Sequence, residues 1–132
     1  MSIAAYKRTI SESETPRQIE RRVLSQVTIR LEEKAESYDA AEASSDRIGI
    51  LADGLREALT ENLTIWHHLR YDLASPENAL PASLRAQLIS LSLWIERQTN
   101  AILGGGAGLR SLAAVNRSIV DGLAGRAPGP MG

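Results

Sequence analysis

The chain contains no cysteine and no phenylalanine, and only two of its 132 residues are histidines. The absence of cysteine excludes disulfide bonds, thiol catalysis and zinc sites built on cysteine. The net charge of −1 argues against a general phosphate-binding surface, which needs an excess of basic residues. The longest strongly apolar run, residues 88–95, is too short to span a bilayer, and residues 1–14 lack the apolar core of a signal peptide. We therefore expect a cytoplasmic protein that does not enter the membrane.

The hydrophobic fraction of 43% is supplied mainly by leucine, isoleucine, valine and alanine, which suit helix packing. Thr15 and Pro16 predict a helix start, as an N-cap followed by a first-turn proline. A short helix or arm at residues 2–9 is expected to precede it. Apolar residues recur at helical spacing in four longer stretches, at about residues 16–37, 46–74, 81–103 and 109–124. The sequence thus predicts an all-α fold, a single-domain helical bundle of about four main amphipathic helices.

The third of these helices is expected to be the centre of the fold. Pro81 suits its first turn, and Trp94 lies on an apolar arc wide enough to be contacted from more than one side. The short connection at residues 75–80 favours an antiparallel arrangement with the preceding helix. The run GGGAG at residues 104–108 is interpreted as a flexible linker. We expect one domain over residues 1–124 and a flexible tail over residues 125–132.

No stretch of the sequence forms a recognisable active site or metal site. His67 and His68 are adjacent, so on a helix they point about 100° apart and do not share a metal as an i, i+4 pair does. The glycine run lacks the GK[ST] ending of a phosphate loop and follows a helix rather than a strand. No set of nucleophile, base and orienting group can be assembled. We therefore expect a non-enzyme with no cofactor, no metal and no small-molecule substrate.

Three features are candidates for partner contact, and each has a structural alternative. Trp66 and Trp94 lie on apolar stripes, so they either fill the core or line a groove. Asn116 interrupts another apolar stripe, either as a buried residue that sets helix register or as a polar contact at a groove. The helix dipole disfavours cations in the first turns of a helix, yet three arginines are found there: Arg17, Arg21 and Arg22. These arginines either pair with a neighbouring helix or face an acidic partner.

Short motifs along nearly the whole chain resemble, in matching order, those of the FlaF family of flagellar biosynthesis regulators from alpha-proteobacterial systems. They are Ala5-Tyr6, Thr15-Pro16-Arg17 with Glu20 and Arg22, Asn62 with Ile65-Trp66, the NALP of residues 78–81 with Leu84-Arg85, and Val115-Asn116-Arg117 with Gly122-Leu123. No single motif is diagnostic, and the ordered set carries the resemblance. Leu63 departs from the family pattern, which has arginine after the asparagine.

The resemblance implies a non-enzymatic regulator of flagellar biosynthesis, an adaptor or secretion-chaperone-like protein that binds flagellin and promotes its synthesis and export. Apolar anchors of a flagellin segment would enter a groove between amphipathic helices. The contact residues expected on this interpretation are Tyr6, Arg17, Arg21, Arg22, Trp66, Arg85, Trp94, Asn116 and Arg117.

Two alternatives remain open at this stage. One is post-transcriptional regulation of flagellin expression through RNA or an FlbT-like repressor partner, although the acidic net charge argues against direct nucleic-acid binding. The other is a purely structural helical dimer.

Overall fold

The structure is a computed structural model that describes residues 16–123, with side chains over residues 18–122. Its elements are α1 (Pro16–Ala40), α2 (Ser44–Ile50), a wide irregular turn (Leu51–Leu55), α3 (Arg56–Ala74), α4 (Ala82–Leu103) and α5 (Leu109–Leu123). No strand occurs within this part of the chain. The predicted all-α bundle of four main helices is confirmed. The predicted N-terminal arm and C-terminal tail lie outside the described residues.

Helix α1 forms the centre of the bundle. Its apolar stripe recurs at helical spacing and is almost completely buried; the members are Leu24, Val27, Leu31, Ala35 and Tyr38. Burying each of the larger aliphatic side chains contributes about 1.5–3 kcal/mol before ordering entropy is subtracted. The helix packs along α5 on one side and α3 on another. The helix α5 runs antiparallel to α1, since Thr28 contacts Asn116 whereas Asp39, further along α1, contacts Leu109 at the start of α5. The helix α3 also runs antiparallel to α1, since Arg30 pairs with Glu61 whereas Lys34 pairs with Asp53, just before α3 begins.

Helix α4 is peripheral, which corrects the expectation that it is the centre. Its first ten residues, 82–91, include no fully buried side chain, and the buried positions begin at Ser92. The helix packs mainly on α3 and contacts α5 only lightly. Pro81 precedes the helix instead of lying in its first turn, and its carbonyl accepts the first helical bond from the N–H of Arg85 at 3.0 Å.

The predicted continuous helix over residues 46–74 is interrupted between α2 and α3. Asp53 and Gly54 leave the helical region, and Gly54 has a φ of +94°, which favours glycine. Leu51 and Leu55 on either side of the break are both buried. The irregular turn therefore redirects the backbone while keeping two core leucines in place.

The glycine run at residues 104–108 is a built turn, and the flexible-linker interpretation is wrong. Gly105 has a φ of +95° and donates to the carbonyl of Ile102 at 2.8 Å, while Gly106 donates to Ala101 at 2.9 Å. This pair of bonds is the Schellman pattern that closes a helix C-terminus. The buried hydroxyl of Tyr38 lies 2.7 Å from the Gly106 carbonyl oxygen. The turn is thus attached to α1 and fixes the direction in which α5 begins.

Asp39 near the end of α1 caps the start of α5. One carboxylate oxygen accepts from the N–H groups of Gly108 and Leu109 at 3.0 and 2.9 Å, and the other accepts from Arg110 at 2.8 Å. Burial alone would raise the pKa of Asp39, but these backbone donors outweigh it and hold the pKa below its usual value. Arg47 adds three donated bonds to backbone carbonyls around the same turn.

Candidate functional site

A buried polar network, the Asn116 network, joins three helices at the middle of the bundle. The side-chain oxygen of Asn116 accepts from the indole N–H of Trp66 at 2.9 Å. Its side-chain nitrogen donates to Thr28 on α1 at 3.0 Å and to Asn62 on α3 at 2.6 Å. The Thr28 hydroxyl in turn donates to the carbonyl of Leu24 at 2.6 Å. These directional bonds fix the register of α1, α3 and α5 relative to one another.

The network decides between the structural and groove interpretations for two residues. Trp66 is 1% exposed and Asn116 is 0% exposed. Asn116 is therefore a buried register-setting residue in this structure, and Trp66 is part of the core. Neither side chain is exposed at the outer surface, and Trp66 contributes a buried wall to the smaller cavity described below.

The predicted arginines have different environments. Tyr6 and the side chain of Arg17 lie outside the described residues. Arg22 is exposed, whereas Arg21 and Arg85 are partly buried, with Nε atoms that have no hydrogen-bond partner among the described residues.

Arg117 holds a two-point ion pair with Glu32 on α1, at 3.1 and 2.6 Å. Glu32 raises the pKa of Arg117 through these bonds. The charge of Arg117 is thus already paired within the fold.

Trp94 is the predicted contact residue that lies in an open concavity. It is partly buried at one end of an apolar depression on the outer face of α4 with a volume of about 480 Å³. We call this the α4 depression; its lining is Ala86, Gln87, Ser90, Leu91 and Trp94. The residues follow helical spacing, so the sequence pattern could indicate a shared face. It could not indicate that this face stays open, because that depends on how α4 packs.

A second, smaller cavity of about 90 Å³ lies where α1, α3, α4 and α5 meet. We call it the Glu20 cavity. Its walls are apolar, and they are formed by Trp66, Leu69, Leu73, Leu80, Leu88 and Ile119. Three polar residues complete the lining: Glu20, Asp72 and Asn78. Sequence reasoning missed this site because Glu20 and Asp72 are far apart in the chain, and no local pattern connects them.

Of the two histidines, His67 takes part in a surface ion-pair cluster. His67 lies 2.8 Å from a carboxylate oxygen of Glu96 on α4, and Arg70 lies 3.5 Å from the other oxygen. The hydrogen bonds from His67 and Arg70 lower the pKa of Glu96. No group of three potential metal ligands occurs over residues 16–123, and no helix in that range is long and apolar enough to cross a bilayer.

Over the described residues, the fold is a small all-α bundle that carries an open apolar depression on α4 and a smaller, partly open cavity where four helices meet. The family model for the flagellar protein FlaF matches residues 2–123, nearly the whole chain, and the chain therefore belongs to the FlaF family. FlaF is a family of flagellar proteins and not a known enzyme family. Comparisons with curated proteins and with solved structures returned no significant match.

Proposed function

We propose that this protein is a flagellin-binding adaptor of the secretion-chaperone type, which promotes the synthesis and export of flagellin during flagellum assembly. Membership of a flagellar family supports a role in this system. The α4 depression is the observation that carries the binding part of the proposal. It places Trp94 and Leu91 in an accessible concavity of about 480 Å³.

An amphipathic segment of flagellin suits this surface by its physical chemistry. A subunit held before export presents apolar stripes that water would otherwise contact, and a partner that covers them keeps the subunit soluble. Helix-in-groove recognition uses apolar anchors at helical spacing. Tryptophan is enriched among the residues that dominate such interfaces, so Trp94 is the expected main contact. Gln87 and Ser90 add hydrogen-bonding groups at the depression.

The test compares two single variants of α4, one with an arginine placed in the α4 depression and one with an arginine placed elsewhere on the helix. Ser90 and Asn100 are both polar and exposed, so Ser90→Arg and Asn100→Arg are matched in chemistry. Only the first puts charge and bulk into the depression. We expect Ser90→Arg to weaken binding of flagellin monomer about tenfold or more, as an interface hot spot of this kind implies. Asn100→Arg should bind like the unmodified protein. Equal titration calorimetry curves for the two variants would contradict the proposal.

A second variant separates binding from folding. Trp94 is only partly buried, so Trp94→Ala should abolish flagellin binding while the far-ultraviolet circular dichroism of the bundle survives. A collapse of helix content would show that Trp94 acts as core, and the proposal would lose its main residue.

Regulation through RNA or an FlbT-like repressor is the alternative outcome of these tests. It predicts salt-sensitive binding to the leader of the flagellin transcript, because phosphate contacts lose affinity steeply as salt rises. Arg117 pairs with Glu32 and Arg21 is partly buried, which leaves this alternative with fewer available charges.

A further inference from the structure

The Glu20 cavity combines an apolar interior with unbalanced negative charge. Six apolar side chains surround a volume of about 90 Å³. Glu20 and Asp72 carry its two charged groups, and no basic side chain lines it among the described residues. A partly open space with apolar walls of this kind suits an alkyl chain.

The carboxylates of Glu20 and Asp72 repel each other electrostatically in the structure. Burial, and then repulsion from Asp72, raise the pKa of Glu20. Asp72 accepts a bond from the side-chain nitrogen of Asn78 at 3.3 Å. No side chain in the described part of the chain donates a hydrogen bond to the Glu20 carboxylate. A cation placed between Glu20 and Asp72 would offset the repulsion and donate hydrogen bonds to the carboxylate oxygens.

We propose that the Glu20 cavity binds an arginine or lysine side chain of flagellin, with its cationic head between Glu20 and Asp72. The inference rests on the proposed function, and it names a contact separate from the α4 depression. Long basic side chains bury their alkyl stems along apolar surface while the charged head stays at the polar edge. The cavity offers both parts of this arrangement, since Leu73, Leu88 and Ile119 form apolar wall and the carboxylates supply the opposite charge.

The test measures flagellin binding by the full chain and by charge variants. Glu20→Gln keeps the shape and removes the charge, and Asp72→Asn does the same on α3. Both should weaken binding about tenfold or more, the effect of losing a charge-assisted hydrogen bond. Glu20→Asp retains the charge and should keep most of the affinity. Glu36→Gln removes an exposed carboxylate at the other end of α1 and should leave the affinity unchanged.

A measurement of thermal stability distinguishes a loss of binding at the site from a loss of binding caused by misfolding. Because the pKa of Glu20 is raised, its ionised form destabilises the free protein, and Glu20→Gln should melt at the same temperature or higher. A variant that is more stable and yet binds flagellin less well supports the site.

Two outcomes overturn the inference in distinguishable ways. If the unmodified chain binds flagellin and Glu20→Gln binds equally well, this site is wrong and the proposed function stands. If the unmodified chain does not bind flagellin, both fail. The chain's own basic residues are a further candidate occupant. A loss of melting temperature in Arg8→Ala that disappears in the Glu20→Gln background would assign the cavity to residues 1–15 and overturn the inference.

Discussion

Replacing Asn116 with alanine removes the side chain that hydrogen-bonds Trp66, Asn62 and Thr28 and so connects α1, α3 and α5 within the core. The indole N–H of Trp66 loses its acceptor, and the side-chain oxygen of Asn62 loses its donor. Thr28 loses one bond but keeps the bond that it donates to the carbonyl of Leu24. Two buried polar groups are therefore left without partners in a part of the core that water does not reach.

The magnitude follows from these two orphaned groups. Each buried polar group left unsatisfied costs about 1–3 kcal/mol, so the two groups orphaned by Asn116→Ala should together lower the free energy of unfolding by about 2–6 kcal/mol. This is a large fraction of the roughly 5–15 kcal/mol by which such domains are stable. For a domain of this size, in which 1 kcal/mol shifts the melting temperature by about 3–5 °C, the melting temperature should fall by about 6–30 °C.

Urea unfolding followed by far-ultraviolet circular dichroism measures this loss. Ser118→Ala on the same helix is the matched control, because Ser118 is exposed and its removal should change stability by less than about 0.5 kcal/mol. Trp66→Phe removes the indole donor from the other side. Its effect and that of Asn116→Ala should not add, since they break the same bond. A loss below about 1 kcal/mol for Asn116→Ala, or strict additivity with Trp66→Phe, would refute the reasoning.

Three further predictions concern the turn before α5 and the helix α2. Asp39→Ala should cost about 1 kcal/mol at pH 7, as loss of a helix cap does. The folded pKa of Asp39 is lowered, so its stabilisation is present above the unfolded pKa near 3.9 and is lost as pH falls through the folded pKa. The difference in urea midpoint between variant and parent should therefore shrink in acid; a constant difference would contradict the cap. Gly106→Ala places a Cβ 2.9 Å from the carbonyl oxygen of Ala101. The substitution should lower the free energy of unfolding by about 1–3 kcal/mol, and the melting temperature with it. In Gly49→Ala the added Cβ lies in a helix and meets nothing within 4 Å, so the melting temperature should rise slightly. A change of melting temperature in the same direction for both variants would count against the structure.

The helices that could be predicted are those in which one local pattern decides the outcome. The stripe of Leu24, Val27 and Leu31 repeats within one helix, and periodicity alone predicts that its members share a face. The expected end of that helix near Ser37 falls short of Ala40. The reason is that Tyr38 contacts a turn more than sixty residues later, which no local pattern reveals.

The positions that could not be predicted depend on contacts between helices. A glycine within an apolar stripe is compatible with a continuous helix or with a break, and at Gly54 a positive φ produces the break. Trp66 and Trp94 look alike in their stripes, yet one lies in the core and the other in an open depression. Which stripe is covered depends on the pairing of α1 with both α3 and α5, and spacing along one helix carries no information on that pairing.

Prediction of the candidate site from the sequence is limited in the same way, because contacts between helices decide which residues form the two concavities. The α4 depression lies on a single helix, so spacing could identify its residues although not its exposure. The Glu20 cavity brings together Glu20 and Asp72 from two helices, and only the assembled bundle places them together.

The most direct test of the central claim is size-exclusion chromatography with light scattering on the full chain mixed with flagellin monomer of the same organism. We expect a stoichiometric complex at tens of micromolar that is retained with Asn100→Arg and lost with Ser90→Arg. Two unshifted peaks for the unmodified chain at that concentration would contradict direct flagellin binding as the main activity.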